Sequence, residues 1–199
     1  MYRIDIRNFN DVRHLVRARL LSSEFHDLEK IVKEHIAADV WKTYYLALPA
    51  PDGCAPWDIT YSLLEQWPDV TIDDLSAASA ENEAGTQTIM KMSEVLQAYL
   101  DTPPWDDAPS MYVVTTKGSY CGASAVLDKT IQQKLGEVFP NGCHIVMSSI
   151  HEVLAVSSDL DVHALAHMVY EINRAEVAEI DRLSDHVFSL REGVISVAA

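Results

Sequence analysis

Apolar and polar positions change rhythm several times along this chain, and each rhythm predicts an element. Val16, Ala18 and Leu20 alternate with Arg17 and Arg19, the period of two expected of a half-buried strand. Ser23 then precedes Phe25, Leu28, Ile31, Val32 and His35, whose spacing predicts a helix with Ser23 as its N-cap. The aromatic and β-branched run Val40, Trp41, Thr43, Tyr44 and Tyr45 predicts a strand over residues 40–48. Clusters of proline with aspartate or glycine at 49–56 and 101–109 predict loops. Between them, residues 58–61 read as a short strand, and 63–67, 72–82 and 87–100 as helices. Thr71 is placed to cap the second helix, with Asp73 and Asp74 in its first turn.

Farther along, Met111–Thr116 and Tyr120–Leu127 flank Lys117-Gly118 and predict a β-hairpin. A helix over 128–139, strands over 143–147 and 152–157, and a helix over 161–174 follow. A last hairpin over 186–197 turns at Glu192-Gly193. The order is ββα, ββα and a hairpin. The expected fold class is α+β: an antiparallel sheet with helices on one face, plus a mostly helical acidic middle segment. A single domain over 1–199 is expected, with parts at 1–110 and 111–199.

Charge sharpens this picture. The formal net charge is −15, and residues 36–110 hold thirteen acidic but only two basic side chains. Direct nucleic-acid binding is not expected, because it rests on lysine and arginine contacts to phosphate. Charges interrupt the N-terminal residues before a secretory core can form, and no run approaches the roughly 20 apolar residues needed to span a bilayer. No membrane association is therefore expected. Cys54, Cys121 and Cys143 are odd in number and lack a paired spacing, which points to a reducing cytoplasm.

Candidate chemistry is sparse. Ser149, His151 and Glu152 crowd the start of a strand, where Ser149 and His151 would share a face and could form a catalytic pair. The competing structural reading is a polar turn whose serine and histidine satisfy backbone groups, and base rates favour it. His163 and His167 have the helical spacing of two metal ligands, but they lack partner ligands and lie on the flank away from the Val162, Leu165, Val169 and Ile172 stripe. Cys121 precedes His144 and His151 in the order seen in some cysteine hydrolases. As a mid-hairpin residue with no helix start beside it, Cys121 reads as a small buried hydrophobe. Asn82, Glu83, Asp185 and His186 stand near element ends, where capping is the default. Phosphate-loop spacings are absent, and no cofactor is expected.

The stretches Val16–Leu21, Ala80–Asn82, Met90–Leu96, Met111–Thr115 with Gly122-Ala123, Ser148–Val153 and Leu183–Val187 resemble an uncharacterised family of bacterial proteins. It is a domain of unknown function met mainly in intestinal anaerobes and sometimes beside mobile-element genes. The resemblance implies a bacterial cytoplasmic origin and a common fold, and assigns no activity.

The leading functional expectation is a non-catalytic protein-binding module whose acidic middle favours a partner with a basic surface. The rival is a hydrolase-like enzyme centred on His151 and Glu152, helped by Ser149 or a metal. A third reading is an acidic decoy that mimics nucleic acid.

Overall fold

A computed structural model describes residues 4–50, 53–100 and 110–199. It is α+β, built on two antiparallel sheets. The first contains β1 (Val16–Ser22), β2 (Lys33–Ala37), β3 (Val40–Ala50) and β4 (Gly53–Asp58). The long β3 is its spine. β1 pairs with it from Val16↔Leu46 to Ser22↔Val40, so β4, which pairs Tyr45↔Asp58 and Leu46↔Trp57, must lie on the opposite edge, end to end with β2. One face buries Val16, Ala18, Tyr44 and Leu46 against Leu63 of α2 (Tyr61–Leu64) and Leu75 and Ala78 of α3 (Ile72–Glu83). Thr71 caps α3 in a reciprocal capping box with Asp74.

The outer edge of β1 is sealed by side chains. Asn82 donates to the carbonyls of Arg13 and Val16, Glu83 accepts from the Ala18 N–H, and Ser124 donates to the Ala18 carbonyl. Asn82 and Glu83 thus satisfy a strand edge, which answers the exposed-edge problem that such strands face.

The second sheet runs β10-β9-β7-β8-β6-β5, with β5 (Gln87–Lys91), β6 (Met111–Thr116), β7 (Cys143–Val146), β8 (Val153–Ser157), β9 (Val187–Arg191) and β10 (Val194–Val197). Alternation along the strands divides its core. Ile145, Ala155 and Leu190 meet Ile131 and Leu135 of α5 (Lys129–Val138), whereas Val146, Val156 and Val187 meet Leu165 and Val169 of α6 (Val162–Ala175). Helices therefore cover both faces of this sheet, not the single face expected. The cluster holding Ile145 and Ala155 also contains Leu20, Leu21 and Val40, so the two sheets share one core.

Several elements differ from the sequence pattern. The expected helix after Ser23 is a 3-10 turn at Leu28–Lys30 followed by β2. Asp27 adopts φ 62°, which breaks a helix there, and β3 offers Lys33–Ala37 a pairing edge. The helix expected over 87–100 is β5 followed by α4 (Met92–Leu100), because Gly85 at φ +73° ends the α3 turn and the β-branched Thr88 and Ile89 pair with β6. The acidic middle is accordingly a mixture of helix and strand. Residues 122–127 form a 3-10 helix in place of the second hairpin strand, so the ββα, ββα order does not hold in its first half. In the first proline-rich stretch, residues 49–50 and 53–56 belong to the paired strands β3 and β4 and are not loop, with Pro49 opposite Cys54, while residues 51 and 52 lie outside the described residues. The second, at 101–109, lies outside the described residues.

Candidate functional site

After β7 the chain passes Ser148–Ile150 alongside residues 181–184, tied by Ile150 N–H to the Asp181 carbonyl (2.9 Å) and Leu183 N–H to the Ser148 carbonyl (3.0 Å). This pairing fixes the predicted cluster. Ser149 Oγ accepts the His151 N–H at 3.1 Å, a local turn bond, and is not presented to the imidazole. Glu152 is exposed. The carboxylate that meets His151 is Asp181, whose Oδ1 lies 3.3 Å from Nε2. On the other side of the ring, Nδ1 accepts the backbone N–H of Cys121 at 3.2 Å. A nitrogen that accepts an N–H is unprotonated, so in the neutral ring Nε2 carries the proton and faces the Asp181 carboxylate. His151 thereby joins three separated segments, and the ring of Tyr120 lies 5.8 Å from it.

Cys121 stands on a strained turn. β6 ends at Thr116, and Gly118, Ser119 and Cys121 all take positive φ values, 97°, 52° and 52°. Cys121 is the N-cap of the 3-10 helix Gly122–Leu127, a helix start that the hairpin expectation had excluded. Gly122 packs beneath it without room for a side chain: a Cβ there would stand 2.3 Å from Thr115 Oγ1 and 2.7 Å from the Thr116 nitrogen. Thr115 Oγ1 also donates to the His151 carbonyl at 2.8 Å, which ties β6 to the histidine. His144 takes no part. It alternates with Cys143 and Ile145 on β7, so it faces the α6 side, away from Cys121.

Arg19 reaches this turn from β1. Alternation suggested a solvent-facing residue, yet Arg19 is 7% exposed because the second sheet's turn covers that face. Its Nη2 donates to Asp58, its guanidinium lies 5.3 Å from the ring centre of Phe25 and 5.5 Å from that of Tyr45, and its Nε has no hydrogen-bond partner among the described residues. The Cys121 thiol sits beside this guanidinium and the Tyr120 hydroxyl, and burial pushes its pKa up to about 11 while Arg19 pulls the other way. Burial likewise raises the Asp58 carboxyl, with Arg19 opposing. The thiol is therefore protonated at rest.

Beside this cluster opens a cleft of about 770 Å³, lined by the 21–31 segment, Asp58, Ile150 and the 179–182 turn. Phe25, Ile31 and Ile150 give it apolar wall, and Ile180, 77% exposed, adds more. Glu24, Asp27, Asp58 and Glu179 contribute carboxylates against Lys30 and Arg182, and Lys30 is already paired with Asp27 at 2.7 Å.

His163 and His167 lie exposed on α6, whose buried positions are Leu165, Val169 and Asn173. Among the described residues, no three metal-ligating side chains gather into one group, and no helix is long and apolar enough to cross a membrane.

The model of one family matches residues 4–191, and its description is a family of unknown function, DUF5688. The chain belongs to DUF5688. No curated protein and no solved structure matches it. The stretches that carried the resemblance serve visible roles: Val16–Leu21 is β1, Asn82 seals its edge, and Gly122 and Ser148–Val153 build the turn around Cys121 and His151. Arg19, Tyr120 and Asp181 were missed because nothing in their local sequence marks them; they meet only through the packing of the two sheets.

Proposed function

We propose that this DUF5688 protein is a binding module that receives a segment of a protein partner in the cleft between the 21–31 segment and the 179–182 turn. The observation that carries this reading is the pairing of apolar wall with surplus carboxylate. Ile180 is an isoleucine left almost fully in water beside Phe25, Ile31 and Ile150, and apolar surface grouped this way favours an occupant that brings its own apolar side chain. Glu24 and Glu179 favour lysine or arginine on either side of that anchor. The net charge of −15 would draw such a partner in from a distance. All three cysteines are free thiols, which supports a reducing, cytoplasmic setting.

The test uses defined peptides carrying one leucine or phenylalanine anchor, flanked by lysines in one set and by glutamates in the other. Fluorescence anisotropy should show binding of the lysine set alone, weakening as salt rises. Ile180→Asp, a surface change that spares the core, should abolish it. Equal binding of both sets, or binding indifferent to Ile180→Asp, would remove this reading.

A further inference from the structure

We propose that Cys121 is a nucleophile, activated by His151 and Asp181, and that the protein transfers or hydrolyses acyl groups held as esters or thioesters. This stands on different atoms from the cleft reading and goes beyond it.

The backbone supplies the first reason. A strand, β6, runs through a strained turn into a helix, and the residue at the end of the turn is a cysteine at φ 52°. A left-handed conformation at a residue other than glycine is strained and persists only where the surroundings enforce it. Here Ser119 and Cys121 both adopt it, within one turn, and Gly122 leaves no space beneath. A nucleophile lifted on a tight strand-to-helix turn, with glycine close-packed beside it, is the geometry that acyl-transfer enzymes use to present a side chain.

The partners supply the second. His151 lies with its unprotonated Nδ1 toward the Cys121 backbone, the tautomer a general base requires, and with its Nε2 3.3 Å from the Asp181 carboxylate. Nδ1 accepts the Cys121 amide at rest, and it serves as the base once that hydrogen bond opens and the thiol takes the place of the amide. The third reason is Arg19, nine-tenths buried, whose Nε–H has no acceptor among the described residues although its guanidinium lies beside the thiol. A buried donor left without a partner is costly, and an oxyanion would satisfy it.

The chemistry balances without a further reagent. The Cys121 proton passes to His151 Nδ1 as Sγ adds to the carbonyl carbon, and the carbonyl π pair moves onto oxygen, where Arg19 Nε–H receives it. The pair returns as the bond to the alkoxide or thiolate leaving group breaks, and that group takes the proton from His151. Water, deprotonated by His151, then cleaves the acyl thioester and restores the thiol. Asp58, the partner of Arg19, and Ile150, the neighbour of His151, both line the cleft, so a chain bound there would reach this centre. Tyr120, 47% exposed with its hydroxyl beside the thiol, is the cover an acyl group would displace.

The test is incubation of the full chain with p-nitrophenyl acetate, reading p-nitrophenolate release and the site of acetylation by peptide mass spectrometry. Acetylation should fall on Cys121 ahead of Cys143, which has the same 2% exposure, and ahead of the exposed Cys54. His151→Gln retains an acceptor for the Cys121 amide but no base, and should slow acylation about 100-fold while leaving the melting temperature near that of the parent. Asp181→Asn should slow it less. Acetylation of Cys121 no faster than Cys143 in the unaltered protein, or a His151→Gln variant that acylates at the parent rate, would overturn the proposal.

Discussion

A methyl group on Gly122 would stand 2.7 Å from the carbonyl oxygen of His151. The backbone of the Cys121 turn and the backbone of the histidine segment are therefore pressed together with only a glycine hydrogen between them. The other close atoms, Thr115 Oγ1 and the Thr116 nitrogen, belong to β6 and cannot retreat without disturbing its ladder. Gly122→Ala should cost about 1–3 kcal/mol, as overpacking of a tight core site does. It should also separate Cys121 from His151. Thermal or urea unfolding gives the first quantity, and loss of the Cys121 acylation described above gives the second.

Arg19 and Asp58 invite a comparison of two substitutions. The arginine side chain is 8% exposed and the carboxylate 31%, so the cation depends on the pair more than the anion does. Removing Asp58 leaves a buried guanidinium with little else to neutralise it, and Asp58→Ala should destabilise by about 3 kcal/mol. Arg19→Met removes the charge with its desolvation cost and keeps contact with Phe25 and Tyr45, and should cost clearly less. Denaturant midpoints of the two variants check the order. The reverse order would mean that the guanidinium is held by groups other than Asp58.

What local sequence shows and what it conceals separate cleanly here. The period-two run from Val16 to Leu20, the strand at Met111–Thr116 before its Lys117-Gly118 turn, the capped helix after Thr71 and the final hairpin were legible because one short segment contains the whole signal. The stretch after Ser23 misled because its apolar residues fit helical spacing, while the deciding facts were the left-handed Asp27 and the free edge of β3. Tyr120–Leu127 misled for a related reason: Lys117-Gly118 suits a hairpin turn, but Gly122 has to pack against β6 and His151, which a strand continuing from that turn does not permit. On α6 the expected apolar stripe holds at Val162, Leu165 and Val169 and fails only at its last position. Ile172 is 43% exposed and Asn173 is fully buried, because its amide donates to the Ser184 carbonyl and to Asp185. At the candidate site, His151 was visible as an unusual residue in a polar cluster. Its acid and its thiol neighbour come from distant segments, and no local pattern announces either.

Asn173 gives a third expectation. Its Nδ2 bridges two acceptors on the 184–185 segment, one of them the carboxylate of Asp185, which Arg174 also engages at 3.0 Å. Asn173→Ala would leave the Ser184 carbonyl unsatisfied in a buried position and open a small void, at a cost of about 2–3 kcal/mol. Arg174→Ala breaks an exposed contact and should cost less than about 1 kcal/mol. Equal losses in the two variants, measured by urea unfolding, would assign the anchoring of this segment to the ion pair instead of the amide.

Glu83 should make stability fall as pH rises through neutrality. It accepts the Ala18 N–H at 3.4 Å along the sealed edge of β1, and burial raises its pKa to about 7 against an ordinary 4.5, with the Ala18 bond and the charges of Arg17 and Lys42 pulling it down. Between those two values the folded chain holds a proton that the unfolded chain has released, so the unfolding free energy decreases with pH across that window. The contribution is fully present below the lower value and lost above the upper one. Glu83→Gln keeps an acceptor for Ala18 and cannot ionise, so it should match the parent near pH 4 and exceed it by about 2–3 kcal/mol near pH 8. Other titrating groups affect both proteins alike, so the difference between their stability curves isolates this residue. A difference that stays constant with pH would mean that Glu83 ionises freely in the folded chain, and that water reaches the β1 edge it covers.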